Sequence, residues 1–264
     1  MTDDEVFARW QERFDRILTE LTYVFENRRK FRDIQTMFQT NERLIKIGSQ
    51  PWEWMLGHWG RDTVMAIRRE LDDNRNTISL GAILDEMAER PTVLTRRRYF
   101  SFAPVSADVE RVLNEQFDRY GIVSPTADRM DDHIAPAGIQ ADRMAMMDAA
   151  GEVLEYANRL IAHRTPINEM PMTVGDVTRA IDAMEPVVKK YFVILTGNTL
   201  LGIEPTNMGD DWKEVFTFPW YEPRVEALGN GPPFAGVVAD RKASVAEGAR
   251  RFFGNWSAAC TLGR

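Results

Sequence analysis

FARWQERFDRILTELTYVF, residues 7–25, decides the fold class. Its apolar side chains fall at Phe7, Trp10, Phe14, Ile17, Leu18, Leu21, Val24 and Phe25. Steps of three and four gather them on one face of an α-helix and turn the charged residues to the other. A half-buried strand would need alternation by two, and the segment has none.

The same period recurs outward from this stretch. A second helix is expected over about 29–47, through Phe31, Ile34, Phe38 and Leu44, with Gly48 as its stop. Pro51 opens a third, which carries Trp52, Met55, Trp59, Ala66 and Leu71 to the turn-rich DDNRNT. A short helix through Leu80, Ile83, Leu84 and Met87 has Thr77 or Ser79 to cap it and Pro91 beyond its end. Ser106 caps the next, which uses Val109, Leu113, Phe117 and Tyr120 and stops at Gly121. Residues 121–138 read as loop. Helices are then predicted from Gln140 to His163 and from Thr173 or Asp176 onward, the latter with a kink at Pro186.

With no clear strand pairing, the pattern predicts an all-α fold, a multi-helix up-and-down bundle over residues 1–197. After Gly197 the texture changes to FTFPWYEP and LGNGPPFAG, followed by a helical stretch SVAEGARRFFGNW. Residues 198–264 are expected to be an irregular, aromatic-rich extension packed on the bundle, because such Trp and Phe content is unsuited to a free tail.

Composition narrows the function classes. The 264 residues are 44% hydrophobic and 28% charged, as in a chain that buries a core. No apolar run is long enough for a membrane span, and MTDDEVFARW is acidic where a secretory signal is basic and then apolar. These features predict a soluble, cytoplasmic protein without membrane association. The lone Cys260 allows no intramolecular disulfide. A formal charge of −7 excludes a globally basic, nucleic-acid-coating surface but not a local basic patch.

Familiar sites fail on spacing. Asp72, Asn74 and Asn76 begin like a calcium loop, but Thr77 stands where Gly is needed and Ile83 where the bidentate Glu is needed. Gly231 and Gly236 have the spacing of a phosphate loop, yet Val237 replaces its Lys. His58, His133 and His163 are scattered and the cysteine is single, so neither a metal site nor a cofactor is expected. His58 reads as a partly buried histidine among Trp54, Trp59 and Asp62, and His133 as an exposed loop residue beside acids.

One stretch carries chemistry: EVLEYANRLIAHRTP, residues 152–166. At about 100° per residue, Glu152, Tyr156, Arg159 and His163 share a narrow sector, while Ala150, Val153, Ala157, Leu160 and Ile161 form the core stripe. An Arg and a His four apart on an accessible face can act on a phosphodiester, the imidazole moving a proton and the guanidinium stabilising phosphoryl charge. Basic residues in a last helical turn also offset the helix dipole, which needs no further function.

ANRLIAHR, residues 157–164, resembles the RNxxxAH-type helix end of the HEPN superfamily. IRRELDDNRNTISLGAILDEM, residues 67–87, is similar to the helix-turn-helix segment of its abortive-infection branch, and the likeness in helix pattern runs over about residues 5–195. The resemblance implies a helical, homodimeric protein whose paired Arg and His form a metal-independent RNase site across the interface, in a defence or toxin-antitoxin system. By the same resemblance His163 is the general acid or base and Arg159 the phosphate stabiliser, with Asn158, Tyr156 and Arg164 as supporting groups. Ala157 stands where the family Arg commonly falls, so either Arg159 or Arg164 substitutes for it or the site is inactive. The alternative is a non-catalytic helical interaction module that binds a protein partner or a nucleotide.

Overall fold

In the computed structural model the described residues are 1–40, 50–74, 76–102, 106–121, 123–162, 172–203 and 213, without the side chains of 50–53, 107, 108 and 160–162. They are mostly helical. Helix α1 (Asp3–Thr40) is followed by α2 (Gln50–Glu70), α3 (Leu80–Glu89), α4 (Arg96–Phe100) and α5 (Ala107–Arg119). Then come α6 (Pro136–Ala149), α7 (Gly151–Tyr156), a π-helical segment Ala157–Ala162, and α8 (Val174–Thr196). Contacts divide the chain into Met1–Glu204 and Pro205–Arg264. Apart from Lys213, the second unit lies outside the described residues, as do Gly48, Gly231, Gly236 and Cys260.

The stripe on α1 builds the core. Trp10, Phe14, Ile17, Leu21 and Phe25 are all buried, and α1 packs on α2, α3 and α8. Helix α6 fills the space against α3 and α8 with Ile139 and Met146, while α8 contributes Val177, Ile181, Met184, Val188 and Tyr191.

The two helices expected over 7–25 and 29–47 are one, unbroken to Thr40. The linking run ENRRKFR has no Gly or Pro, and the i,i+4 pairs Glu26 with Lys30 and Arg29 with Asp33 support it. Arg28 occupies a core-facing position, lies 4.7 Å over the Phe25 ring and pairs with Asp182 on α8. A cation in the apolar stripe thus reads as an interruption while its aliphatic stem continues the packing.

The long helix predicted from Gln140 starts instead at Pro136 and breaks at Ala150, before Gly151, a poor helix former. The expected loop 121–138 contains a two-stranded antiparallel pair, Val123 with Ile134 and Ser124 with His133. Two residues per strand are too few to show a period of two. Pro186 leaves α8 continuous. The caps follow the sequence closely: Ser79 accepts the Ala82 N–H, Ser106 the Val109 N–H, and Thr173 and Asp176 form a reciprocal box at the start of α8.

Candidate functional site

The chemistry-bearing stretch occupies the end of α7 and the π-helical turn after it. That turn, Ala157–Ala162, is π-helical, a form that concentrates at functional sites, and it is entered by the Ala157 N–H donating to Val153 O and Leu154 O. Helix α7 is held from two sides, by α2 and by α8, and the π-helical turn packs on α2. A helix flanked in this way buries a wider arc than one stripe, and the expected polar wall is divided accordingly. Val153, Tyr156 and Ala157 are buried, whereas Glu152, Asn158 and Arg159 are exposed. Tyr156 therefore does not share the accessible face with Arg159. Burial pushes its hydroxyl up to about 12, against the opposing field of Arg61, so it remains protonated.

Arg159 pairs with Glu155 at 2.8 Å, both half-exposed. Asn158 accepts a hydrogen bond from Arg68 Nε of α2 at 2.9 Å. Arg61 and Arg68 are seven apart on α2, hence on one face, and that face borders the helix end. The sequence reading did not single out these two arginines. Their spacing of seven was the available signal, but IRRE reads as ordinary helix surface until α2 is laid against α7. Arg68 thus approaches this helix end through Asn158, and Arg61 through Tyr156.

Ala157, where the family Arg would fall, is completely buried. A guanidinium there would enter the core, whereas Arg159 is exposed on this helix end and paired with Glu155. His163 and Arg164 lie outside the described residues.

The other histidines depart from expectation. His58 is exposed, its ring 4.6 Å from that of Trp54. His133 is half-buried on the short strand pair, bridged to Thr95, with Nδ1 enclosed. Among the described residues no three His, Cys, Asp or Glu converge as metal ligands, and no helix is long and apolar enough to cross a membrane. The chain matches no family model, no curated protein and no solved structure, so the reading of this helix end stands on its own residues.

Proposed function

We propose that this chain is a HEPN-like helical protein that cleaves RNA without a metal, in the manner of a defence or toxin-antitoxin nuclease, as a homodimer with facing His163 helices. The observation that carries the reading is the hydrogen bond from Arg68 of α2 to Asn158, which brings a guanidinium to the stretch that carries the exposed Arg159 and leads in sequence to His163. Guanidinium groups suit the phosphodiester backbone, and bidentate hydrogen bonds suit its oxygens.

In this mechanism the ribose 2′-hydroxyl attacks the adjacent phosphorus. The new 2′-O–P bond forms as the P–O5′ bond breaks, giving a cyclic phosphate and a 5′-hydroxyl. His163 transfers the proton and Arg159 stabilises the charge gathering on the non-bridging oxygens. Arg68 holds Asn158 in register.

The test is cleavage of a mixed RNA pool in EDTA by the wild type, His163→Ala and Arg159→Ala. Loss of general acid-base catalysis predicts a fall of about 10²- to 10⁴-fold for His163→Ala. Cleavage that persists in that variant, or a folded wild type that cuts nothing, overturns the reading. The second reading, a non-catalytic module that binds a protein partner, is favoured by the closed position at Ala157 and by Glu155 neutralising Arg159. It gains the lead if the folded wild type is inert and RNA is still bound, or neither cut nor bound.

A further inference from the structure

The outer face of α2 carries a row of groups that ends at the helix end described above. Trp54, His58, Arg61, Met65 and Arg68 follow one another at steps of four, three, four and three, which places them within a sector of about 80°. Trp54, His58 and Arg61 are exposed, and Met65 and Arg68 are half-buried. At 1.5 Å per residue the row is about 21 Å long. None of its members is acidic. Asp62 and Arg69 stand along one edge, and Arg69 is paired with Glu20 at 3.3 Å.

The charge at the inner end of the row is poised for an oxyanion. Arg68 donates through Nε to Asn158 Oδ1, a neutral amide, and no carboxylate pairs with it among the described residues. With Nε engaged, the edge formed by its two terminal nitrogens is left as a fork for two oxygens of one phosphate. At the outer end Trp54 is 67% exposed, with the His58 ring 4.6 Å away. A single exposed ring is ordinary. This one stands on the same face as two guanidinium groups, and cations in a row with a stacking ring are how an unpaired strand is held. A protein partner asks for an apolar centre, for which the row offers only Trp54 and Met65. A duplex keeps its bases inside and is read by shape, which would leave Trp54 unused.

We infer that the outer face of α2 is the track of a single RNA strand, with phosphates on Arg68 and Arg61 and a base stacked on Trp54. The track rests on the RNA reading of the helix end, and it gives Arg68 a contact with the strand in addition to its hold on Asn158.

The experiment is fluorescence anisotropy of the full chain with labelled 2′-O-methyl oligouridine in EDTA. This strand has no 2′-hydroxyl to attack, so binding is read whether or not the chain cleaves RNA, and failure of the nuclease reading is kept apart from failure of the track. Log affinity is expected to fall linearly with log salt. Arg68→Gln and Arg61→Gln are each expected to flatten that slope by about 0.7, the value of one phosphate on a single strand. Arg68→Lys keeps the charge but not the fork, and is expected to keep the slope while losing affinity. Trp54→Ala is expected to weaken binding at least about fivefold at every salt concentration and to leave the slope unchanged, as loss of a stacked base does. Duplex RNA and polyglutamate are expected to compete poorly. No binding by the folded chain overturns the track, and so do a slope and affinity indifferent to Arg61, Arg68 and Trp54. Equal competition by the duplex would make the face a general polyanion surface, and by polyglutamate a site for an acidic protein segment; either result also overturns it.

Discussion

Glu70 sits at the end of α2 with 5% of its surface exposed, and its Oε2 accepts the Leu80 N–H at the start of α3. Burial is the largest influence and pushes the carboxyl up to about 7, outweighing the lowering by the Leu80 N–H and by Arg69. The folded chain therefore holds this proton at pH values where the unfolded chain has lost it. A raised carboxyl makes the native state the better proton binder between about pH 4.5 and 7, so this group's contribution to stability falls as pH rises through that window. A shift of this size corresponds to at most ~3 kcal/mol at pH 8. Gln accepts the same N–H and cannot ionise. Glu70→Gln is thus expected to gain stability relative to wild type as pH rises from 5 to 8, read from urea midpoints at each pH. A difference that stays flat over that range would remove Glu70 as the titrating group. Nothing in RREL distinguishes this glutamate from a surface one, because its burial depends on α3 closing over it.

At the scale of elements, helix ends were more legible than helix lengths. Ser79, Ser106 and Thr173 are recognisable caps because a side-chain oxygen meets an N–H only two or three residues on. The continuity of α1 was hidden by Arg28, and the break at Ala150 by the good helix formers on either side of the single Gly151. Gly197 shows how a local signal can carry a tertiary demand. It ends α8 with φ at 69°, donating to Val193 O at 2.8 Å, as a C-terminal glycine should. A Cβ there would also lie 2.3 Å from the Cβ of Phe102, whose ring packs near Phe7 on α1. The left-handed backbone costs an alanine about 1–2 kcal/mol and the collision about 1–3 more. Gly197→Ala is expected to lose roughly 2–5 kcal/mol in chemical denaturation. Adding Phe102→Gly, which removes the Phe102 Cβ itself, should cost less than the sum of the two changes. Strict additivity would mean that the backbone alone requires the glycine.

For the whole molecule, the distribution of buried charge decides which parts can come apart separately. Periodicity disclosed the helices that share the main core, but α4 and the strand pair are too short to have a period and were invisible until Arg96 was placed between them. The candidate site was legible to the same degree. Arg159 and Asn158 were visible in one segment, whereas Arg61 and Arg68 required the packing of α2. Arg96 is 1% exposed. It donates to Asn114 O and Oδ1 and to Asp118 on α5, lies 3.7 Å from Asp132 beside the strand pair, and covers the Phe117 ring at 4.7 Å. Its own N–H donates to Asp132 O, so one residue ties α4, α5 and the segment 123–134 together. Removing the guanidinium takes its hydrogen bonds from Asn114 and Asp118 and leaves the buried Asp132 without its neighbouring cation, while the half-exposed Asp118 turns to water. That loss falls on α5 and the strand pair, while the core of α1, α6 and α8 keeps its apolar contacts. Arg96→Met, which preserves the stem over Phe117, should therefore open a sub-global unit and leave the main core folded. Hydrogen exchange is expected to accelerate over residues 107–134 with protection in α1 and α8 unchanged. Acceleration spread evenly over α1 and α8 would instead make Arg96 part of a single cooperative unit.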